Sequence, residues 1–514
     1  MKRNRLLILA LCLCTFAYGQ GELDAYRLSV TDLQGTARGQ AMGGAFGALG
    51  GDMTSTMINP AGVGVYLSSE ISGTVNLDNQ RNNSNWNGTK DNESSYNFRL
   101  NNLSLVYYSP IGNDLLKSIN FGFSFHQLKN FHNKYRVSSN RSSLSLTDYI
   151  SNMSYGVDPD VLAGKDPYAK DVPWLTTLGW NGYIIDDFIN SSGDNEYRPA
   201  ILEEGETVNG SLFTEEKGYV YAYDFTLGFN FGHKLYWGAT FALTDIDYTS
   251  NSYYTEDYEK GGSFTLENNF ITEGSGYQLK TGLIWRPVDA LRLGVSYHSP
   301  TWYHLTDYYK AWLDTDFGTP GAETPDDGRN SYRLQTPYSW TFSAARVIGT
   351  KAIISVDVEL KDYTTMNLQD RDGYNYIAQN DYIDQDFKLA TTFRIGAEYR
   401  FTPQFSFRLG YAGVGSPYTA DLKNDNLPPA LIGTIPHYII DGGAHHFTGG
   451  LGYRITPQFY IDLAFVHRRQ SNDLYFFPSL YEEANGVYKK ISESKPATLE
   501  AITNRGLLTI GYKF

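Results

Sequence analysis

The residues best suited to chemistry in this chain are few and scattered. His298 stands on the polar phase of an alternating segment and is the best-placed general base, but no serine motif accompanies it, so a hydrolase lacks its nucleophile. His437, His445 and His446 lie in or beside one loop. They carry neither a His-Glu-x-x-His pair nor the carboxylate–histidine spacing that a metal or haem site needs. What remains is a set of cations, Lys280, Arg292, Arg394, Arg408 and Arg454, each on the polar phase of its own alternating segment. Cations so placed suit the carboxylate of an amphiphile. They equally suit a lattice of ion pairs with Asp357, Glu359, Glu398 and Asp462, which is the commoner arrangement for any one of them. None of these patterns supports a catalytic residue or a cofactor.

Composition narrows this further. The 514 residues include 41 Tyr and 50 Gly, and the aromatic share of 15% is too high for disorder. A mean hydropathy of −0.38 excludes a polytopic helical membrane protein, since each helical span needs about 20 mostly apolar residues. One stretch comes near that length. Lys2, Arg3 and Arg5 precede the apolar Leu6–Leu13, and Ala17-Tyr18-Gly19 forms a small-x-small cleavage site, so residues 1–19 read as a secretory signal. Both cysteines, Cys12 and Cys14, fall within it, and cleavage would leave an exported chain without disulfides or thiolate sites. The formal charge of −14 argues against nucleic acid, whose phosphates call for a basic surface.

The elements that position the cations are strands. Tyr221, Tyr223, Phe225, Leu227, Phe229 and Phe231 interleave with small or polar residues, as do Ile354, Val356, Val358 and Leu360. Successive strand side chains face opposite ways, so each segment has one apolar face. A soluble sandwich would show the same pattern. Segments of about ten residues, short turns alternating with long polar loops, and aromatic pairs at strand ends (Tyr107-Tyr108, Tyr253-Tyr254, Tyr308-Tyr309, Phe476-Phe477) favour a transmembrane antiparallel β-barrel. About fourteen strands are expected, starting near Ile71, Phe98, Ile119, Val220, Leu235, Tyr277, Leu291, Arg333, Ala352, Thr391, Phe405, His446, Phe459 and Leu507. The loop of residues 130–218 is expected to carry helical pieces at Leu144–Tyr155 and Trp174–Ile189. The chain ends on Phe514, a terminal aromatic of the kind read by the barrel assembly machinery.

Residues 20–69 break the alternation. Glu22–Gly35 and Ala37–Ala48 have helix-like spacing, and Gly39, Gly43 and Gly47 recur every fourth residue, a ridge that lets a helix approach another backbone. No Gly-Lys-Ser/Thr follows, so a nucleotide loop fits poorly. A small plug, or hatch, inside a barrel of residues 70–514 fits better. The run GTARGQAMGGAFGALGGDMTSTMINPAGVG resembles the N-terminal signature of the FadL/TodX family of outer-membrane channels for long-chain fatty acids and other hydrophobic compounds. The resemblance implies a monomeric fourteen-stranded barrel in the bacterial outer membrane, contacting its lipid and closed by a hatch. It also implies passive uptake of fatty acids or detergent-like ligands by ligand-triggered hatch movement. Arg38, Gly43, Gly47, Asn59 and Pro60 would then gate the lumen, and ligand would leave sideways at a kink in the third strand. The residues for that kink are His126, Leu128 and Asn130: Ile119, Phe121, Phe123 and Phe125 alternate, then Leu128 falls on the opposite phase. A slip of this kind marks either a bulge or the end of the strand. A general porin, or an outer-membrane receptor for haem or another ligand, is the alternative. A TonB-dependent receptor is disfavoured, because about fifty residues cannot form its large plug.

Overall fold

Alternation closes into a cylinder. The computed structural model describes residues 21–164, 168, 172–190, 193–203, 205–318, 320–326, 328–426, 428–431, 433–484 and 487–514; the expected leader with Cys12 and Cys14 lies outside the described residues. Fourteen antiparallel strands form the barrel. They are β1 (Glu70–Trp86), β2 (Thr89–Pro110), β3 (Leu116–Asn130, continued by Asn133–Ser138), β4 (Val208–Phe231), β5 (Leu235–Tyr258), β6 (Ser263–Val288) and β7 (Leu291–Thr315). They continue as β8 (Arg329–Gln335 and Ser339–Ile348), β9 (Ala352–Asp362 and Asn367–Asp370), β10 (Leu389–Arg400), β11 (Phe405–Val414), β12 (Tyr438–Arg454), β13 (Phe459–Tyr475) and β14 (Ala497–Lys513). Each expected strand start falls inside its own strand. β14 returns to β1 with Lys513 opposite Glu70, and the Phe514 N–H donates to the Ser69 carbonyl at 3.0 Å. Closure satisfies the backbone where no water can.

The strands are much longer than a bilayer requires. β4 and β5 have 24 residues each and β6 has 26, against about 9–11 for a tilted span. The lipid-facing band is confined to their lower parts. On β5 it runs over Leu235, Trp237, Phe241 and Leu243, and on β6 over Tyr277, Leu279, Leu283 and Trp285, all exposed outward. Charge resumes above it at Asp245, Asp247 and Glu273. This corrects the placing of three aromatic pairs. Tyr254, Phe476 and Phe477 are buried together in a core above the bilayer, and Tyr309 packs against Trp174 at 5.0 Å. Tyr254 and Tyr309 stand on ladder extensions that a membrane-length strand would not have, and Phe476 and Phe477 directly follow the end of β13 at Tyr475.

Two outer connections are also shorter than expected. β1 turns into β2 at Asn87-Gly88, both with positive φ, and residues 259–262 join β5 to β6. The long loop does carry helices, α4 (Leu146–Met153), α5 (Pro159–Leu162) and α6 (Trp174–Asn181). Ile185–Ile189, expected as part of the second helical piece, is instead a strand paired with Asn195–Pro199.

Candidate functional site

The N-terminal segment touches the barrel wall almost all the way round. It holds α1 (Glu22–Ser29), α2 (Ala37–Ala41), α3 (Ser55–Ile58) and a 3₁₀ turn at Pro60–Val65. Ala37–Ala48 is not one helix, and the four-residue glycine ridge does not exist as such. α2 stops at Ala41, because Gly43 and Gly44 take φ values of +64° and +74° that a helix cannot continue through. Thr36 opens α2 by accepting from the Gly39 N–H at 3.1 Å, and its hydroxyl donates to Asp52 at 2.8 Å.

The glycines serve contact with the wall. A Cβ on Gly43 would lie 2.7 Å from the Tyr411 carbonyl oxygen, which is barrel backbone. The wall answers with glycines of its own on the inward phase: Gly228, Gly238 and Gly282 are successive cross-strand neighbours on β4, β5 and β6. A Cβ at any of them would collide with Gly64, Pro60 or Asn59 respectively. Gly396 and Gly410 form a second facing pair, against Met42 and Gly43. Sequence reading did not single out these wall glycines. Their signal was present, since a glycine inside a strand marks a close backbone approach.

The expected gating residues lie at this contact. Asn59 donates to the Gly47 carbonyl at 2.7 Å and to the Leu283 carbonyl at 3.1 Å, and accepts from the Ala61 N–H at 3.1 Å, opening the 3₁₀ turn that Pro60 begins. The Gly47 N–H donates to Asp357 at 2.9 Å. Arg38 bonds Glu398 at 2.9 Å and stacks over the Phe46 ring at 5.2 Å. Burial opposes the charge on Arg38, but Glu398 more than offsets it. His298 is no base. It is buried, with Nε2 3.1 Å from the Ile58 carbonyl at the end of α3.

Four of the five expected carboxylate-binding cations are engaged with the protein itself. Lys280 lies 3.1 Å from buried Asp224, which His126 approaches at 3.6 Å. Arg292 donates to the Leu49 carbonyl at 2.5 Å, Arg394 pairs with Glu359, and Arg408 reaches both Glu398 at 2.7 Å and Asp462 at 2.5 Å. Arg454 is not in the lumen: inward in phase, it is the exposed last residue of β12, at the rim. Of the three histidines, His437 and His446 line one cavity, and no group that could hold a metal ion is formed among the described residues. Strand alternation buries His446 inside, while His445 faces out and bonds the Tyr411 hydroxyl at 2.8 Å.

Above the hatch lies a cavity of about 420 Å³, lined by Tyr26, Leu28, Tyr363, Lys361, Arg394 and Arg468 among others. Its volume is ordinary for a site that takes a small organic ligand. α1 forms one side, and its buried Leu23, Ala25 and Leu28 join an aromatic cluster with Tyr248, Phe387 and Tyr418. Two carboxyls flank this helix. Burial, then the nearness of Asp386, raises Glu22, and burial pushes Asp386 up to about 7.

The cavity also reaches β3 at Leu128–Asn130, where the wall is incomplete. Leu128 is an extra residue in the pairing of β3 with β4, so the phase slip is a bulge and not the strand's end. β3 pairs with β2 only as far as His126 opposite Asn102, whereas β2 runs on to Thr89 paired with β1. The hatch holds the bulge directly. The Asp32 N–H donates to the Leu128 carbonyl at 2.9 Å, and the Asn130 N–H donates to the Asp32 carboxylate at 3.2 Å.

Comparison with known proteins agrees with this architecture. The family model described as outer membrane protein transport protein (OMPP1/FadL/TodX) matches residues 263–473, all within the barrel. A Pseudomonas aeruginosa FadL homologue is similar in structure, with TM-score 0.53 and 14% identity over 95% of this chain and 100% of that one. The P. putida toluene transporter TodX is similar with TM-score 0.50 and 14% identity, over 94% and 99%. No curated protein matches the sequence. At such identity the structures establish the fold. The resemblance read from the hatch residues is thus matched by an independent part of the chain. Over residues 263–473 the chain is thus similar to that family of outer-membrane transport proteins, and its fold is that of the FadL and TodX barrels.

Proposed function

We propose that this barrel takes up hydrophobic compounds, long-chain fatty acids among them, through a lumen that the hatch keeps shut, and releases them sideways between β2 and β3. The observation that carries the reading is the direct bonding of hatch residue Asp32 to the β3 bulge, where the wall ladder is interrupted. Movement of the 30–36 segment would change the closure of the lumen and the edge of the gap together. A hydrophobic ligand supplies the drive, gaining about 0.8 kcal/mol per buried CH₂. α1 packs along the cavity and is the element a ligand would displace first. A general porin fits less well, because the wall glycines hold the hatch backbone against the barrel.

The test is deletion of residues 35–60 with all strands kept. In planar bilayers the wild type should be nearly closed to ions and the deletion should conduct strongly. Cells carrying the wild type should accumulate labelled oleate faster than cells lacking the protein. Equal conductance of the two forms, together with unchanged oleate uptake, would overturn the channel reading.

A further inference from the structure

The gap between β2 and β3 is polar and basic, which a route for hydrocarbon alone does not call for. Arg99 on β2 donates to the Gln127 side chain on β3 at 2.5 Å, bridging strands that are no longer paired. Arg99 also pairs with Asp78, which Arg505 shares at 2.8 Å, and Arg505 donates to the hatch carbonyl of Leu33 at 2.9 Å. Lys129, in the bulge, and Arg468 line the same corner of the cavity. Four cations thus meet two carboxylates, Asp32 and Asp78. Asp32 reports the resulting potential: burial works against its ionisation, yet Lys129, Arg468 and Arg505 hold its carboxyl below the ordinary range. Buried polar atoms without a protein partner collect here too, namely Arg99 Nε, Gln34 Nε2, Asn101 Oδ1 and Asn102 Oδ1. Each of these atoms is free to bond a polar guest. Just outside, Phe98, Leu100 and Leu103 offer an exposed apolar surface.

We propose that the gap is a head-group site, at which an anionic amphiphile places its carboxylate between Arg99, Lys129, Arg468 and Arg505 while its acyl chain lies over Phe98, Leu100 and Leu103 toward the bilayer. This rests on the channel reading and adds selectivity to it: a carboxylate ligand is preferred to a neutral one of equal chain length. It also moves the carboxylate site from the lumen wall to the gap.

The test uses the full-length protein in a non-ionic amphipol, with labelled laurate and 1-dodecanol measured by equilibrium dialysis. Laurate should bind the wild type at least tenfold more tightly than dodecanol. Arg99→Gln combined with Lys129→Gln should bring laurate to within twofold of dodecanol and leave dodecanol unchanged. Lys129→Gln alone, which breaks no ion pair in the barrel, should give an intermediate loss. Equal binding of laurate and dodecanol by the wild type overturns the head-group site and leaves the channel standing. Binding of neither, with normal oleate uptake by cells lacking the protein, overturns both. If dilauroyl phosphatidylglycerol displaces laurate at equal or lower concentration, the site belongs to membrane phospholipid and the assignment to substrate fails.

Discussion

Replacing Asn59 by alanine should loosen the hatch without harming the barrel, and the size of the effect follows from two bonds. The side chain accepts from the Ala61 N–H, capping the 3₁₀ turn, and a lost cap costs about 0.5–2 kcal/mol. It also donates to the buried Gly47 carbonyl, a bond whose net contribution is about 0.5–1.5 kcal/mol. The contact with Leu283 adds little, because that carbonyl already belongs to the barrel ladder. The closed hatch should therefore lose roughly 2–3 kcal/mol, a rise of about 30- to 150-fold in the opening equilibrium. Single-channel recording in planar bilayers measures it as the fraction of time open, with heat modifiability on gels as the control for barrel folding. Asn59→Asp should not rescue the closed state, since a carboxylate can cap Ala61 but cannot donate to Gly47. An open fraction within threefold of wild type, in a protein that remains heat-modifiable, would refute the claim that Asn59 holds the hatch.

Three further outcomes are expected. Gly238→Val would drive a side chain into the Pro60 carbonyl, and overpacking costs about 1–3 kcal/mol, so protease should cut residues 50–66 faster in this variant; equal cutting would mean the bare stripe is not a hatch seat. Glu22 and Asp386 both take up protons above the ordinary carboxyl range when α1 is docked. The docked state then binds more protons than the undocked one between pH about 4 and 7, and its stability is greatest below that window and falls as pH rises through it. Amide exchange of residues 22–29, corrected for intrinsic rate, should be several-fold slower at pH 5 than at pH 8, and Asp386→Asn should reduce the difference; exchange that ignores pH would sink the argument. Deleting Phe514 should lower the amount of heat-modifiable barrel in outer membranes, and unchanged abundance would count against a terminal assembly signal.

Much of the wall was legible from one-dimensional information. The face of a strand residue depends only on its parity, so the apolar band and the inward placing of Lys280, Arg394 and Arg408 follow from alternation. Chain length and turn residues supply the strand count for the same reason. Parity also located the phase slip at Leu128, because an extra residue reverses it, but only the pairing of β3 with β4 shows that the slip is a bulge and not the strand's end. Where each strand stops was less legible. Beyond the bilayer the outward face turns polar while the ladder continues, as at Asp245 and Asp247, so an aromatic such as Tyr254 reads locally as an interface residue although it lies in a core above.

What only the tertiary structure decided is which surfaces meet. The glycines at 39, 43 and 47 suggested a helix ridge, yet two of them lie beyond the end of α2, and Gly43 instead meets the backbone of β11, far away in sequence. The cations illustrate the same limit. Composition and phase place Arg99 and Arg408 alike on inward faces, but Arg408 is enclosed by Glu398 and Asp462 while Arg99 bridges the break between β2 and β3. Alternation is a property of one strand and is written in its own residues. Charge pairing and close approach depend on closure, which sets residues from opposite ends of the chain side by side, as Arg505 and Asp78 are, and no local pattern carries that distance.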